Sequence, residues 1–325
     1  MLHSTRSLAV PLIRSDAMPT FVAVDAPRSL RSTLAAYQAG FGDPTTQLAD
    51  NQFLHATLTP NGPATLRLGW ARDPASVSDP GLVTEAWGPG ADWLLARVDR
   101  FTGACDRPVR CNDGHPVVER ALRLTQHRRI GTSGGLYHLL LPTIIAQRIT
   151  AGEALKQWQR LVWKLGESAP GPPGIIGQLR LPPSPEALRG RPAWWFHPLG
   201  IEAKRAQALT EVARHADKLW SWAQAGADVA ATKLALIPGV GPWTIGSVLG
   251  PALGDPDAVQ VGDFHFPNVV AWALANEPRA TDARMLELLE PYRGQRGRVL
   301  SAIVSTAGGA PAFGPRKRIV PIARL

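Results

Sequence analysis

Two glycines one residue apart lie between two apolar stretches at residues 234–248, where the sequence is LALIPGVGPWTIGSV. Glycine tolerates positive φ angles and lets a ligand approach the backbone closely, so Gly239 and Gly241 predict a tight turn between two helices, the second opening at residue 242 or 243. We expect Val240 to point inward, so that the free amides of the turn and of the new helix face outward, where they suit phosphate oxygens. The residues predicted to bind a sugar–phosphate backbone are Gly239, Val240, Gly241 and Thr244. The alternative is an ordinary helical hairpin whose glycines serve geometry alone.

The charge and the cysteine content limit the classes of partner and cofactor. The formal net charge is +9 and the pI is near 10.2, which favours a polyanionic partner, although a proteome rich in arginine gives the same balance. The only cysteines, Cys105 and Cys111, exclude a four-cysteine iron–sulfur or metal site within the chain. They also argue against a disulfide scaffold and fit a reducing cytoplasm. No run of 18 apolar residues exists, so no membrane span is expected.

The length of 325 residues suggests two domains, and the pattern changes near residue 116. We predict a flexible extension at 1–18, without the features of a signal peptide, and an α+β domain with a small antiparallel sheet at 19–115. A helical domain is predicted at 116–310 and a basic tail at 311–325. The predicted fold class is therefore mostly α, with an N-terminal α+β domain.

Local patterns predict most of the individual elements. Strands are predicted at 21–25, 53–59, 64–70 and 83–87, with the sequence PNGP at 60–63 as a hairpin turn. Ser29 is predicted to cap a short helix, and residues 93–101 and 201–219 each predict one helix. Thr150 and Glu153 form a capping-box pair for a helix that ends at Gly166, residues 167–183 predict a loop, and Ser184 precedes a further helix start.

Asp263 follows the hairpin within the sequence VQVGDFHFPN at 259–268, just before an apolar helix that is expected to start at Phe264. An aspartate at a helix start is an efficient N-cap, and most such residues have no other role. A cap position would also hold the carboxylate at a fixed place at the mouth of a cleft. The two roles are compatible, and the upstream hairpin makes us favour catalysis.

With the hairpin and this aspartate in place, residues 120–307 resemble the helix-hairpin-helix DNA glycosylase superfamily. The chain is most similar to the bacterial alkylbase (3-methyladenine) DNA glycosylases, because residues 139–147 (LLLPTIIAQ) and 199–209 (LGIEAKRAQAL) are similar to helices of that group. Its members also have an N-terminal α/β domain. The resemblance implies the glycosylase fold and no iron–sulfur cluster or other cofactor, and it is compatible with a monovalent or divalent cation at the hairpin.

The resemblance also implies a mechanism. Asp263 would stabilise positive charge on the deoxyribose or orient the attacking water, and one carboxylate suffices because an N-alkylated purine already carries positive charge. Strand-cleaving members have a lysine just before the hairpin threonine, whereas this chain has Trp243, and Lys233 is too far along the chain to replace it. A monofunctional hydrolase that leaves an abasic site is implied. Members often carry two adjacent acidic residues here, but Gly262 precedes Asp263.

A base inside a duplex has to be flipped out to reach a buried carboxylate. Candidates for the wall of the base pocket are Trp243, Phe264 and Tyr137, with packing between helices as the alternative for Trp243. Residues 126–135 (QHRRIGTSGG) lie where the family carries its wedge residue, so Ile130 or an adjacent arginine is expected to fill the gap in the base stack. Arg128 and Arg129 are candidate phosphate contacts, and a basic surface loop is the alternative. His138 and His265 are expected to be structural.

The expected partner is double-stranded DNA with a damaged base, and the expected state is a monomer in the bacterial cytoplasm, associated with the nucleoid. Two other functions stay open. One is a glycosylase for other damaged bases, such as deaminated or oxidised ones. The other is a protein that binds DNA structures through the hairpin and has no turnover.

Overall fold

The computed structural model describes residues 26–70, 82–108 and 114–311, with the backbone alone for residues 26–29. The predicted extension at 1–18, the predicted strand at 21–25 and residues 312–325 of the predicted tail lie outside the described residues. Among the described residues, no helix combines the length and the apolar character that a membrane crossing requires.

One antiparallel sheet with the strand order β1-β2-β3-β4 forms the N-terminal part. Its strands are β1 (Thr46–Leu48), β2 (Gln52–Thr59), β3 (Gly62–Gly69) and β4 (Val83–Trp87). Three of the four were predicted, whereas β1, with three residues, is too short to show a pattern. Thr59 pairs with Gly62, so the hairpin loop contains only residues 60 and 61, and Gly62 and Pro63 belong to β3 instead of to the predicted four-residue turn.

The sheet is covered on both faces. Helices α1 (Ala26–Leu34), α2 (Ala91–Leu95) and α3 (Val98–Phe101), with a 3-10 turn at Ala35–Tyr37, pack on one face. Two predictions were wrong here: Ser29 lies inside α1 instead of capping it, and residues 93–101 form two short helices instead of one. The other face packs against residues 167–183, which contain one helical turn and bury Ile176, Leu179 and Leu181 against β2.

The described residues from 116 onward are mostly helical, as predicted. The helices are α4 (Pro116–Leu124), α5 (Leu136–Ala146), α6 (Ala151–Leu165), α7 (Pro173–Ile176), α8 (Pro185–Arg189), α9 (Ala203–Arg214), α10 (Ala216–Gln224), α11 (Ala227–Leu234), α12 (Pro242–Leu253), α13 (Phe266–Ala275), α14 (Asp282–Leu289) and α15 (Arg296–Thr306), with 3-10 turns at Ala193–Leu199 and Glu290–Tyr292.

Capping residues decide several of these boundaries. Thr150 accepts a hydrogen bond from the Glu153 amide at the start of α6, and Ser184 accepts one from the Ala187 amide at the start of α8, as predicted. The helix predicted at 201–219 is instead two helices, because α9 ends and α10 begins on either side of His215. Periodicity alone does not show such a break, since both helices present apolar residues to the same core.

The helices form two packed groups. Helices α5, α6 and α8 to α12 share the largest apolar core, which includes Trp158, Leu209 and Val240. Helices α4, α13, α14 and α15 share a second core around Val270 and Leu300. The segment between α12 and α13 therefore passes from one group to the other, and this segment carries Asp263.

A buried polar network joins the sheet region to the helices. The imidazole of His138 on α5 lies 3.0 Å from the hydroxyl oxygens of Thr45 and of Thr57, and its ring stacks on that of His55 with centroids 4.8 Å apart. Burial lowers the pKa of His138 to about 3. Burial, and then the charge of a protonated His138, lower the pKa of His55 well below its usual value. Both rings are therefore neutral, and His138 has the structural role that was expected.

Candidate functional site

The hairpin between α11 and α12 forms where the two glycines predict it. The Val240 amide donates to the Ile237 carbonyl at 3.0 Å, which closes a four-residue turn. Pro238 and Gly239 occupy its central positions, and Gly239 has a φ of 86°, as the last central residue of a type II turn requires. Helix α12 then begins at Pro242, one of the two predicted positions.

The two glycines serve different purposes. A Cβ atom on Gly239 would lie 2.6 Å from the Cβ of Ala208 on α9, so this position needs glycine for packing as well as for its φ. Gly241 has a φ of −99°, a conformation that residues with a side chain also adopt. A Cβ on Gly241 would have no atom within 4 Å. Nothing within the described protein therefore requires a glycine at 241.

The exposed surface of the hairpin consists of main-chain atoms more than of functional side chains. Val240 is buried, as predicted, whereas Gly239 and Pro242 are exposed and Gly241 is half-buried. In the part of the chain that the structure describes, the amides of Gly239, Gly241 and Trp243 donate to no acceptor. Helix α12 thus starts without a cap, and its first turn offers N–H groups to an external anion.

The side chain of Thr244 does not face outward with these amides. It is buried, and its hydroxyl accepts a hydrogen bond from the Gln147 side-chain amide at 2.9 Å. The Thr244 side chain therefore supports the turn from inside the protein, and the prediction that Thr244 helps to bind the DNA backbone, which was made for the amides at the start of α12, stays a prediction. The same Gln147 amide donates to the Gly239 carbonyl at 2.9 Å, so Gln147, at the end of α5, holds both sides of the turn. Sequence reasoning missed this residue, which lies 92 positions away from Gly239.

Arg148 directly follows Gln147 in the chain. It is exposed, and its φ of 60° is unusual for a residue other than glycine.

Asp263 is held at the start of α13 by three donors. Its Oδ1 accepts the amides of His265 at 2.8 Å and Phe266 at 3.1 Å, and its Oδ2 accepts the indole N–H of Trp243 at 3.0 Å. The predicted capping role is thus present, although α13 starts at Phe266, two residues after the expected start, because these amides bind the carboxylate. The side chain of Asp263 is half-buried, so part of it is open to solvent.

The glycine before Asp263 has a structural reason. Gly262 has a φ of 95°, which disfavours any residue with a side chain. Its amide donates to Asp282 Oδ1 at 2.9 Å, so α14 fixes the backbone immediately before Asp263. A second acidic residue would be strained at position 262.

The three predicted pocket residues lie in different surroundings. Phe264 is 83% exposed, and Trp243 is half-buried. Tyr137 is 4% exposed in the main core, where its hydroxyl donates to the Pro183 carbonyl at 2.9 Å and burial raises its pKa far above the usual value. A residue enclosed in this way lines no open pocket, so the prediction for Tyr137 was wrong. His265 was expected to be structural but has an exposed side chain, and its ring lies edge-on to that of Phe264.

An open cleft of about 930 Å³ lies between the two helical groups and the N-terminal part. Its lining comes from α1, α4, the loop after α4, α12, α15 and the segment before α13, and includes Arg128, Ile130, Ser247, Asp255 and Gln260. No residue of 167–183 lines this cleft. Asp263 is not a lining residue itself, but Ser247 lies one helical turn after Trp243, and Gln260 three residues before Asp263. Asp255 lines the cleft, and burial raises the pKa of its carboxyl group.

The predicted wedge loop forms one wall of this cleft. Arg128, Arg129 and Ile130 are half-buried and line it. The Ile130 amide donates to Asp106 Oδ2 at 3.0 Å, and the Arg129 amide donates to Thr33 Oγ1 at 3.2 Å. Arg128 Nε is buried and has no hydrogen-bond partner among the described residues. The structure thus places all three at the cleft but does not select one as the wedge.

Metal-binding groups are sparse in the described part of the chain. No group of three His, Cys, Asp or Glu residues there is arranged to hold a metal ion. At the hairpin, the carbonyl oxygens of Ile237 and Gly239 already accept hydrogen bonds, from Val240 and Gln147. Only the second lone pair of each of these two oxygens is therefore available to a cation. Cys105 is exposed, and Cys111 lies outside the described residues.

These helices, the hairpin with the aspartate after it, and the small N-terminal sheet together form the fold of the helix-hairpin-helix DNA glycosylases. The fold predicted from the sequence is thereby confirmed. No family model matches the sequence, and no curated protein does.

Solved structures define the similarity. A 3-methyladenine DNA glycosylase from Archaeoglobus fulgidus has a TM-score of 0.65 at 17% identity, over 83% of this chain and 94% of that one. The 8-oxoguanine glycosylase/lyase of Clostridium acetobutylicum has a TM-score of 0.56 at 12% identity, over 81% and 99%. MBOgg1, solved in complex with a low-affinity DNA ligand, has a TM-score of 0.61 at 13% identity, over 82% and 89%. At these identities the likeness establishes a common fold.

Proposed function

We propose that this protein is a DNA glycosylase that hydrolyses the N-glycosidic bond of a flipped alkylated purine and leaves an abasic site. The observation that carries the proposal is the Asp263 carboxylate. Three hydrogen-bond donors fix it, and one of them is the indole of Trp243, which follows a hairpin whose amides donate to no acceptor among the described residues. The hairpin would bind the sugar–phosphate strand of duplex DNA without regard to sequence, because backbone amides contact phosphate and not bases. The protein would act as a monomer in the cytoplasm.

The carboxylate suits this chemistry. Cleavage of the bond develops positive charge on the deoxyribose, and a fixed negative group in a partly enclosed site stabilises that charge. Because Asp263 is already oriented by its cap and by Trp243, little reorganisation is needed at the moment of reaction. An alkylated purine leaves as a good leaving group, so a single carboxylate is sufficient.

The position before the hairpin threonine favours hydrolysis alone. It carries Trp243, whose indole contacts Asp263, so no amine is available there for a Schiff base. Lys233 is exposed at the end of α11, outside the cleft lining.

The flipped base would approach Asp263 from the end of the cleft that Ser247 and Gln260 line. The cleft volume of about 930 Å³ lies within the range of ligand pockets, roughly 300 to 1,000 Å³. The exposed ring of Phe264 and the half-buried ring of Trp243 are available for stacking, which is worth roughly 1 to 3 kcal/mol per base. Arg128 lines the open cleft, which supports a contact of that arginine with phosphate or with the gap in the stack.

A glycosylase specific for oxidised bases is the second candidate. It is favoured by the 8-oxoguanine glycosylase/lyase of Clostridium acetobutylicum, which has the same fold. That protein is named a lyase, whereas the absence of a lysine at position 243 favours a hydrolase here.

The test is incubation with two duplexes, one methylated and one containing 8-oxoguanine, followed by alkali cleavage and analysis of the released bases. We expect release of methylated purines, strand breaks only after alkali, and loss of release in Asp263→Asn. Asp92→Asn is the matched control, because Asp92 is also an aspartate at a helix start and is exposed. Equal release by wild type and Asp263→Asn would remove Asp263 from the mechanism. DNA binding without any release would indicate a protein that binds DNA structures only.

A further inference from the structure

One hydrogen bond connects the hairpin to the carboxylate. Trp243 is the second residue of α12, and its indole N–H donates to Asp263 Oδ2 at 3.0 Å, across 20 residues of sequence. The backbone amide of the same tryptophan is one of the open amides of the hairpin. Trp243 therefore has its main chain on the predicted DNA-binding surface and its side-chain N–H on the predicted catalytic group.

The contact fixes which carboxylate oxygen is available. A carboxylate has about four acceptor sites, two on each oxygen. The amides of His265 and Phe266 fill both sites of Oδ1, and the indole fills one site of Oδ2. Among the described residues, the second site of Oδ2 has no donor. The indole thus prevents rotation of the carboxylate and leaves a single acceptor position open.

We propose that Trp243 is a positioning residue, which aims Oδ2 of Asp263 at the reacting sugar or water when the hairpin is bound to DNA. The inference rests on the proposed glycosylase function and assigns Trp243 a role other than stacking. The stacking hypothesis needs the face of the ring, whereas this role needs the N–H at its edge. The two therefore predict different effects when the N–H is removed and the ring is kept.

The deciding variant replaces the Trp243 indole by benzothiophene, an isosteric ring without the N–H, introduced at an amber codon. Trp243→Phe gives a smaller ring that also lacks the donor, and Trp194→Phe is the control, because Trp194 is 74% exposed. We expect the single-turnover rate at saturating enzyme to fall about tenfold to a hundredfold in both Trp243 variants, the loss typical of a hydrogen bond to a charged group. Affinity for damaged duplex should stay within about twofold, as for a lost transition-state interaction. An unchanged rate with benzothiophene and a reduced rate with phenylalanine would establish stacking and overturn the inference.

A second readout does not depend on turnover. The indole N–H of Trp243 can be assigned in a spectrum of the 15N-labelled protein, which has 11 tryptophans, by its loss in Trp243→Phe. In Asp263→Asn this signal should move more than those of the other indoles. A signal that does not move would overturn the inference even if the enzyme is active. If wild type releases no base but the signal moves, the proposed function fails, and with it the catalytic part of the inference, while the hydrogen bond stands.

Discussion

The side-chain amide of Gln147 donates to the carbonyl oxygen of Gly239 at 2.9 Å, and so ties the end of α5 to the hairpin turn. It also donates to the buried hydroxyl of Thr244, in the first turn of α12. The turn is therefore held from outside its own two helices. Since its open amides have to converge on a phosphate, this support is part of the predicted binding surface.

Replacement of Gln147 tests that support. In Gln147→Leu both hydrogen bonds are lost, and we expect about 1 to 3 kcal/mol of destabilisation and weaker binding to all duplexes, independent of sequence. Urea unfolding and fluorescence anisotropy measure the two effects. Gln159→Leu is a matched control, because Gln159 likewise donates to a glycine carbonyl, that of Gly42, at 2.9 Å, but on α6. Equal DNA affinity of both variants would contradict the role given to Gln147.

The two hairpin glycines should differ when each is changed to alanine. Gly239→Ala puts a side chain at a φ of 86° and 2.6 Å from the Cβ of Ala208, so we expect at least about 1 to 2 kcal/mol of destabilisation. Gly241→Ala has an unstrained backbone and open space, so the fold should keep its stability, while a methyl group over the open amides weakens DNA binding roughly tenfold. Urea unfolding and anisotropy at several salt concentrations separate these outcomes. Unchanged affinity in Gly241→Ala would show that DNA does not approach this surface.

Short-range signals were sufficient for much of this architecture. The Pro-Gly-Val-Gly turn, the Thr150 cap and the hairpin between β2 and β3 involve residues a few positions apart, so the sequence contains their geometry. The position of Asp263 at a helix start was predictable for the same reason. The helix break at His215 and the split near residue 96 were not, because in both cases tertiary packing overrides a continuous pattern.

Long-range contacts decide the rest of the site. Gln147 binds Gly239 and Asp282 binds the Gly262 amide through tertiary packing, which leaves no local pattern. Tyr137 failed as a pocket residue because an aromatic residue on an apolar helix has the same appearance whether it faces the core or a cleft. The packing of residues 167–183 on the sheet was hidden by their Pro and Gly content, which is typical of exposed loops.

Asp263 should also contribute to stability through its cap. Asp263→Ala removes the acceptor for the amides of His265 and Phe266, so we expect a loss of about 0.5 to 2 kcal/mol. Asp263→Asn loses the negative charge but keeps an oxygen that can cap α13. Its free energy of unfolding in urea should therefore fall by only a few tenths of a kcal/mol. Equal stability of wild type and the alanine variant would show that α13 does not depend on this cap.

The wedge loop should depend on Asp106. Its Oδ2 accepts the Ile130 amide, and its Oδ1 forms an ion pair at 2.6 Å with Arg298 on α15, both side chains being about 10% exposed. Asp106→Ala leaves a buried arginine unpaired, which costs about 3 to 5 kcal/mol, and frees the loop at 126–131. Urea unfolding and limited proteolysis of the loop measure both effects. Asp50→Ala is the control, because the ion pair of Asp50 with Arg31 is exposed and should contribute about 1 kcal/mol or less.

The neutral pair of His55 and His138 should make folding sensitive to mild acid. Burial lowers the pKa of His138 to about 3, and burial with the neighbouring ring lowers that of His55, whereas both residues titrate normally in the unfolded chain, near pH 6.5. Below that pH the unfolded chain binds protons that the folded chain does not, so stability falls as the pH falls. Between about pH 7.5 and pH 5.5 His138 should account for a loss on the order of 1 kcal/mol, and His55 should add to it in the same direction. His138→Gln should be less stable at the higher pH but should lose less stability over this interval, as measured by urea unfolding. His197→Gln, at an exposed position, is the matched control. An unchanged slope in His138→Gln would mean that the buried ring takes up a proton in the folded protein.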